Sequence, residues 1–300
     1  MTPASSSAVP KWAGAALGNR EFELLSAFIH DHCGIRYPPG KRVTLEARLR
    51  RRLRALSLGS FAEYCPRVLG PAASQDEIVR MIDEVTTNKT DFFREPAHFD
   101  YLTREVLPAL NEAGVGGGVG AQRALVVWSA ACSTGEEVYT LAMVLANASE
   151  KGPRMRFSIL GTDISTEVLE VARRGIYEER LIEPVPAMMR QRYLLQSRQR
   201  DTSLVRIAPE LRARARFVHL NLLSPFTMRG APHVIFCRNV LIYFDRPTQK
   251  RVLDRLSGLL APGGYLFLGH SDSITGLDLP LAQRVPSVYR KPLEATARRG

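Results

Sequence analysis

The sequence predicts an α/β protein in which an all-α N-terminal region precedes a parallel sheet covered on both faces by helices. From Glu21 to about Val85 the apolar residues recur at helical spacing, and no strand pattern is convincing. After Ala121, short continuous apolar runs alternate with helical patterns, which is typical of buried parallel strands. A length of 300 residues fits two domains.

The helical region contains about four helices. Two of them carry clear apolar stripes, and two more span Phe61 to Leu69 and Ile78 to Val85; the stripe residues are Phe22, Leu25, Phe28 and Ile29, then Leu45, Leu49, Leu53 and Leu56. We assign residues 19–87 to this helical domain and residues 1–18, rich in Ala, Ser, Pro and Gly, to a disordered leader.

Residues 88–120 are predicted to form a connector helix, from Pro96 to Leu110, and a glycine-rich linker. The linker, Gly114 to Gly120, precedes a strand, whereas a phosphate-binding loop must follow one. We therefore interpret it as flexible chain.

The α/β domain is assigned to residues 121–291, with a tail at 292–300. Its strands and helices are expected, in order, at Ala124 to Trp128, Val138 to Ala148, Phe157 to Gly161, Glu167 to Arg174, Val234 to Cys237, Thr248 to Leu260 and Tyr265 to Leu268. Leu204 to Ile207 and Arg216 to His219 alternate in polarity, which favours a small antiparallel insertion at about 194–218.

The composition indicates the class of partner that the protein binds and the compartment in which it works. The 41 basic and 30 acidic residues give a net charge of +11, which favours an acidic partner: nucleic acid, anionic lipid or an acidic protein. No apolar run approaches the ~18 residues of a membrane span, so no membrane insertion is expected. The four cysteines form no CxxC pair, which predicts a reduced, cytoplasmic protein, and we expect no metal site.

The second predicted helix is strongly basic. Its charges have two interpretations: an ordinary solvated surface, or a face that steers the protein to acidic helices of a partner. The basic residues, set against Glu46 alone, are Lys41, Arg42, Arg48, Arg50, Arg51, Arg52 and Arg54.

Ligands of open α/β sheets bind beyond the carboxyl ends of the strands, so the residues after each strand are the candidates. The first predicted strand is followed by small residues and by Glu136 and Glu137 at a helix start, without a GxGxxG motif. Adjacent carboxylates repel a phosphate and accept a cationic group. The alternative is a capping box, Ser133 with Glu136 or Thr134 with Glu137.

Later strands offer further candidates. Asp163 is placed to accept the hydroxyls of a ribose, or else it or Ser165 caps the following helix. The segments Asn221–Leu222 and Arg238–Tyr243 carry amide and backbone groups that suit a purine, although each alone is equally typical of a loop.

Taken together in chain order, these segments resemble the chemotaxis receptor methyltransferase (CheR) family. The resemblance covers roughly Glu21 to Arg290, and six collinear motifs make it specific. They are TNKTDFFRE at Thr87–Glu95, WSAACSTGEE at Trp128–Glu137, GTDI at Gly161–Ile164, NLL at Asn221–Leu223, FCRNVLIYF at Phe236–Phe244 and GHS at Gly269–Ser271.

The resemblance implies a Rossmann-like S-adenosylmethionine-dependent methyltransferase domain with a small antiparallel β insertion, preceded by an all-α domain. It implies methyl transfer to glutamate side chains on the cytoplasmic helices of chemoreceptors, with S-adenosylhomocysteine as product; we expect a monomer that binds no nucleic acid. The implied cofactor residues are Asn88, Thr90, Arg94, Glu136, Asp163, Asn221, Leu222, Arg238 and Asn239. The implied catalytic residues are Arg94 and Tyr243, and we expect Arg48, Arg51 and Arg52 to bind the acidic substrate.

Two departures from the family pattern bear on the site. Asp91 stands where members often have a small residue, which adds a negative charge beside the cofactor. The segment 196–203 lacks the glycines of members that dock on a receptor tail peptide, so tail tethering is not expected.

Three other functions compete. A nucleic-acid methyltransferase shares the sheet and the basic charge, but usually carries an Asn/Asp-Pro-Pro-aromatic motif where this chain has Cys237–Val240. A non-catalytic S-adenosylmethionine-binding regulator would bind the cofactor without transferring its methyl group. A nicotinamide dehydrogenase lacks support because the glycine fingerprint is missing.

Overall fold

The computed structural model describes residues 14–71, 73–116, 123–152, 154–197, 203–272 and 274–293. The chain divides into two compact units between Thr87 and Asn88. The predicted linker and tail, and residues 198–202 of the predicted insertion, lie wholly or partly outside the described residues.

The first unit is helical. Leu45, Leu49 and Leu53 are fully buried, so the apolar stripe predicted for the second helix forms the core of the unit. Its helices are α1 Asn19–Cys33, α2 Arg42–Ala55, α3 Phe61–Leu69 and α4 Gln75–Val85, with a 3₁₀ turn at Pro39–Lys41 before α2.

Part of the predicted leader packs on this unit. Ala15 and Leu17 are buried, and the Leu17 N–H donates to Glu46 at 2.8 Å. The prediction of a disordered leader is therefore wrong for residues 14–18. This part of the segment is ordered because the two apolar side chains are buried against the helices. Residues 1–13 lie outside the described ranges.

The second unit is built on a mixed sheet. Within the described residues its strands are β1 Leu125–Ala130, β2 Phe157–Asp163, β3 Ile176–Glu178, β4 Leu194–Gln196, β5 Leu204–Ile207, β6 Ala215–His219, β7 Val234–Cys237, β8 Tyr265–Leu268, β9 Ala282–Val285 and β10 Val288–Arg290. The main sheet has the order β6-β2-β1-β7-β8-β10-β9, parallel from β6 to β8 and antiparallel at β10 and β9.

Helices cover both faces of this sheet. They are α5 Ala97–Tyr101 and α6 Leu107–Glu112, joined by a π-helical segment at Leu102–Val106, then α7 Glu136–Lys151, α8 Thr166–Arg174, α9 Ala187–Tyr193, α10 Pro209–Arg212 and α11 Arg246–Leu259. Neighbouring residues of β1 belong to opposite cores: Val127 lies in the cluster that contains Leu141 of α7, and Trp128 in the cluster that contains Leu253 of α11. The predicted fold class, an all-α domain followed by a Rossmann-like α/β domain, is confirmed.

The small second sheet differs in part from the prediction. β5 pairs antiparallel with β3 and β4, as an insertion would. The other predicted insertion strand, Arg216 to His219, instead pairs parallel with β2 as the edge strand β6 of the main sheet. Its alternating polarity reflects an edge position with one face exposed.

Of the helices within the described ranges, none is long and apolar enough to cross a membrane.

Candidate active site

The candidate site lies at the carboxyl ends of β1, β2, β6, β7 and β8. The strand order reverses beside β1, since β2 lies on one side of it and β7 on the other. This reversal is where open α/β sheets form a ligand crevice.

The loop after β1 has an unusual backbone. Ala131, Ser133 and Gly135 have positive φ angles of 63°, 50° and 96°. Gly135 is the N-cap residue of α7, and no side chain caps the helix. The predicted capping box is therefore absent, and both adjacent glutamates are available for other contacts.

Glu136 is a buried carboxylate, 4% exposed. The Thr134 hydroxyl donates to it at 2.6 Å. Burial raises the pKa of Glu136, the Thr134 hydrogen bond opposes this, and the nearby charge of Asp91 raises it further. In the described part of the chain no basic side chain pairs with Glu136. A buried carboxylate in this state is suited to an ammonium group, and Asp91 does add negative charge beside it.

Asp163, at the end of β2, joins two loops. Its Oδ2 accepts the Ser133 N–H at 2.8 Å and its Oδ1 accepts the Ser165 N–H at 2.9 Å. The N-cap of α8 is the Ser165 side chain, which accepts from Val168 N. Of the two predicted caps, the structure therefore has Ser165, and it places the Asp163 carboxylate in the crevice with 6% exposure.

Asn221 and Leu222 follow β6 beside the same strand end. The Leu220 N–H donates to the Asp163 carbonyl oxygen at 2.8 Å. The Asn221 Oδ1 accepts the Leu223 N–H at 2.9 Å, and Leu222 is buried. The loop after β6 is thus fixed next to the loop after β2.

The connector before α5 reaches the loop after β1. The Ser133 hydroxyl donates to the Asn88 carbonyl oxygen at 2.7 Å. Farther along, the Arg94 guanidinium donates to the Lys89 carbonyl oxygen at 3.1 Å, so the connector folds back over Thr90. Asn88, Thr90 and Arg94 therefore lie in one short, folded segment.

Arg238 lies in a buried charge cluster, with a side chain 3% exposed. Its Nε is 3.2 Å from Glu137 Oε2 and 3.6 Å from Glu95 Oε2, and one Nη donates to the Arg94 carbonyl oxygen at 2.6 Å. Burial raises the pKa of Glu137 against the opposing effect of Arg238. For Glu95 the effect of burial is outweighed, first by Arg238, and its pKa is lowered. The guanidinium thus makes internal contacts through Nε and one Nη.

Asn239 and Tyr243 follow Arg238 in the loop after β7. The Asn239 amide nitrogen donates to Glu95 Oε1 at 3.3 Å, and the Asn239 backbone is left-handed, with φ of 56°. Tyr243 ends the 3₁₀ turn Leu241–Tyr243 and is half-buried, beside the exposed Ile242.

The sequence did not predict the roles of Glu95 and Glu137. Glu137 accepts the Ser129 hydroxyl at 2.6 Å and pairs with Arg238, far along the chain. Its partner cannot be identified from local spacing. The local sequence shows two adjacent carboxylates at the start of α7, but it does not show that Glu137 is the one that pairs with Arg238.

One group of potential metal ligands lies beside this cluster. The ligand atoms of Glu95, His98 and His270 lie within 4.8 Å of one another. The Arg238 Nε is 3.6 Å from the same Glu95 carboxylate, and its charge opposes a second cation there. We therefore assign no metal to this cluster.

The predicted substrate residues lie on α2 of the first unit, in different environments. Arg52 forms two hydrogen bonds to Glu77, at 2.9 and 2.8 Å, and its side chain is 11% exposed. The Tyr64 hydroxyl donates to the same carboxylate at 3.0 Å. Arg52 is thus a largely covered structural group and is not part of an exposed basic face.

Arg48 is also engaged within the unit. It donates to the carbonyl oxygens of Val85 and Thr86 at the end of α4, the latter at 2.7 Å. Arg51 is 75% exposed and forms one ion pair with Glu84, at 3.3 Å. Of the three predicted residues, Arg51 alone is widely open to solvent.

Two protein-family models match the chain, one in each unit. The model of the "CheR methyltransferase, all-alpha domain" matches residues 20–86, and that of the "CheR methyltransferase, SAM binding domain" matches residues 88–285. The chain belongs to the CheR methyltransferase family.

Relatives of this CheR chain are named chemotaxis protein methyltransferases. It is 38% identical over 275 residues to the chemotaxis protein methyltransferase of Escherichia coli, covering 91% of each chain. It is 38% identical over 255 residues to chemotaxis protein methyltransferase 2 of Pseudomonas aeruginosa, covering 84% of this chain and 86% of the relative.

A solved structure of SAM-bound CalS10, an amino pentose methyltransferase from Micromonospora echinaspora, aligns with a TM-score of 0.34 and 12% identity. The alignment covers 71% of this chain and 65% of that one.

The chain is thus an S-adenosylmethionine-dependent methyltransferase, and the crevice fits that cofactor. The ammonium group of an amino-acid-bearing cofactor requires a counter-charge. The buried Glu136 carboxylate offers one, since no basic side chain among the described residues pairs with it. Ribose hydroxyls require acceptors, which Asp163 offers at the end of β2.

Proposed function

We propose that this CheR family chain methylates glutamate side chains of chemoreceptors, giving glutamate methyl esters. The observation that carries the proposal is the buried Glu136 carboxylate in the crevice, which has no basic partner in the part of the chain that the structure describes. The relatives of the chain are named chemotaxis protein methyltransferases. When bound, S-adenosylmethionine supplies a methyl group on a positively charged sulfur, and S-adenosylhomocysteine is the product.

A glutamate side chain can accept the methyl group without a catalytic base. Its carboxylate is already ionised at neutral pH, since its ordinary pKa is ~4.3. It needs no general base, so the protein has to hold the two reactants in line and exclude water. Orientation of this kind is worth effective molarities of ~10⁵ M or more.

We assign the cofactor contacts by position. Glu136 holds the ammonium group and Asp163 the ribose hydroxyls. Asn221 with Leu222, and Asn239 beside the buried Arg238, surround the purine and amino-acid ends; the connector residues Asn88, Thr90 and Arg94 close over them.

Two residues are proposed to act on the substrate. Tyr243, half-buried at the end of its 3₁₀ turn, orients the attacking carboxylate through its hydroxyl group. Arg94 positions the substrate or the cofactor with its guanidinium charge. Its backbone is held by Arg238, so the side chain starts from a fixed point.

The exposed residues of α2 are proposed to dock the acidic cytoplasmic helices of the receptor. Arg51 and Arg54 lie a turn apart and are both exposed, next to the 72% exposed Val43 and the exposed Ala47. Exposed cations steer an acidic partner and raise its rate of association, more strongly at low ionic strength. Arg48 and Arg52 support this face from inside the unit.

The chemical identity of the product tests the proposal. Receptor-containing membranes are incubated with the protein and methyl-labelled cofactor, washed, and treated with mild base. Label released as methanol marks an ester and is the expected result. Label that resists base, or that moves to added tRNA or DNA, contradicts glutamate methylation and favours an amine or nucleic-acid target.

The docking surface has its own test. We expect the double variant Arg51→Glu, Arg54→Glu to lower kcat/KM for receptor methylation roughly tenfold at low salt, with a smaller loss at high salt. Its affinity for S-adenosylhomocysteine should not change.

Arg67→Glu, Arg80→Glu is the matched control, because it changes the net charge equally at exposed positions of α3 and α4. Equal losses in both double variants would show that net charge matters and that the α2 face does not.

A further inference from the structure

Asp272, in the loop after β8, joins that loop to the loop after β7. It is 7% exposed, and its Oδ2 accepts two backbone N–H groups, from Asn239 at 2.6 Å and from Gly269 at 2.9 Å. One carboxylate oxygen therefore holds both loops where they pass each other. Asp272 has no part in the cofactor contacts assigned above.

The two loops meet backbone to backbone at this point. A Cβ on Gly269 would lie 2.5 Å from the side-chain Nδ2 of Asn239 and 2.7 Å from its backbone nitrogen. Asn239 also has a left-handed backbone, with φ of 56°, which costs a non-glycine residue free energy. A buried, charge-assisted hydrogen bond from its N–H to Asp272 offsets that cost.

The side chain of Asn239 is held from the other direction. Its amide nitrogen donates to Glu95 Oε1, which also accepts the His270 N–H at 3.2 Å. An ionised carboxylate only accepts hydrogen bonds, so the NH₂ group of Asn239 faces Glu95. The carbonyl oxygen of the amide then points away from Glu95 and can act as an acceptor for a ligand.

We propose that Asp272 is a positioning residue of the cofactor site, acting through Asn239. By fixing the Asn239 backbone, Asp272 sets where the Asn239 carbonyl oxygen lies and where the chain starts toward Tyr243. This inference rests on the proposed function of the crevice and adds a residue outside its contacts.

The test compares Asp272→Ala and Asp272→Asn with a control at the other end of the sheet. His233 is 8% exposed, precedes β7, and accepts the Val126 N–H at 3.1 Å through Nδ1. His233→Ala therefore also removes a buried acceptor from a backbone N–H, far from the crevice. For each variant we would measure the dissociation constant of S-adenosylhomocysteine by calorimetry, the Tm of the free protein, and kcat and KM.

We expect Asp272→Ala to weaken S-adenosylhomocysteine binding roughly tenfold and to raise KM for the cofactor, as loss of a charge-assisted bond predicts. Asp272→Asn keeps an acceptor oxygen and should recover most of the affinity. His233→Ala should lower the Tm without changing the affinity. In an Asn239→Ala background the effect of Asp272→Ala should shrink, because the group that it positions is gone.

Two results would overturn the inference. If Asp272→Ala, or Asp272→Asn should the alanine variant not fold, lowers the Tm as His233→Ala does and leaves the affinity within twofold of wild type, Asp272 is only structural. If the wild-type protein itself binds no S-adenosylhomocysteine, the proposed function fails and this inference fails with it.

Discussion

Acidification should destabilise the second unit through His98. This histidine is 3% exposed and packs edge-on against the rings of Phe267 and His270, at centroid distances of 5.6 and 5.0 Å. The pKa of His98 is lowered from 6.5 to about 4, chiefly by burial and then by the positive charge of Arg238, while Glu95 opposes the change.

The sign and size of the effect follow from that pKa. Because the pKa of His98 is lower in the folded than in the unfolded chain, the unfolded chain binds more protons between pH 6.5 and 4. The stabilisation is complete above pH 6.5 and is lost as the pH falls toward 4. At about 1.4 kcal/mol per pH unit, the interval from 6.5 to about 4 corresponds to a loss of about 3 kcal/mol.

Urea unfolding at pH 7.5 and pH 4 measures this loss. Trp128 is fully buried in the second unit, and a Trp12→Phe background leaves it as the fluorescent reporter. Carboxylates titrate in the same range, so the loss in the wild type is compared with the loss in His98→Leu. Leucine fills the buried position with an apolar side chain that cannot bind a proton. The wild type should lose about 3 kcal/mol more than the variant between the two pH values. Equal losses in both proteins would refute the assignment of the effect to His98.

Two further predictions concern packing. Glu77→Gln should lower the unfolding free energy of the helical unit by about 3–5 kcal/mol, because it leaves the largely covered Arg52 without its counter-charge. Urea unfolding followed by circular dichroism measures this loss, and the exposed Glu23→Gln should change little. An equal response of both variants would contradict the ion pair. Gly161→Ala should lower the Tm by an amount equivalent to about 1–3 kcal/mol, because its Cβ would lie 2.8 Å from the Phe217 ring and 2.9 Å from Val138. Gly258→Ala in α11, where a Cβ meets nothing within 4 Å, should not lower it, and a Gly161→Ala protein as stable as wild type would contradict that packing.

The central strands could be predicted because their signal is local. β7 and β8 are continuous apolar runs buried on both faces, and the structure has them at the predicted residues. β6 was predicted in the wrong sheet, because alternating polarity describes an exposed edge without naming the strand it pairs with. The short strands β3, β9 and β10 were not predicted, because three or four residues carry too little pattern.

The site residues also differ in whether the local sequence identifies them. Asp163 is the last residue of β2 and Glu136 is the first residue of the helix after β1, and their position at the crevice can be predicted from that order. The partners of Arg238 and Arg52 lie far away in the chain, and spacing within a helix cannot identify them. For Arg52 the sequence suggested an exposed substrate contact, whereas a glutamate on another helix draws the side chain inside.

The affinity of the protein for S-adenosylhomocysteine, with and without the charge of Glu136, tests whether the crevice is the cofactor site. Calorimetry should show binding by wild type and a loss of roughly tenfold or more in Glu136→Gln, since a buried charge-assisted bond is removed. Glu167→Gln, an exposed first-turn carboxylate on α8, should bind as wild type does. A wild-type protein that binds nothing, or a Glu136→Gln protein that binds equally well, would contradict the crevice as the cofactor site.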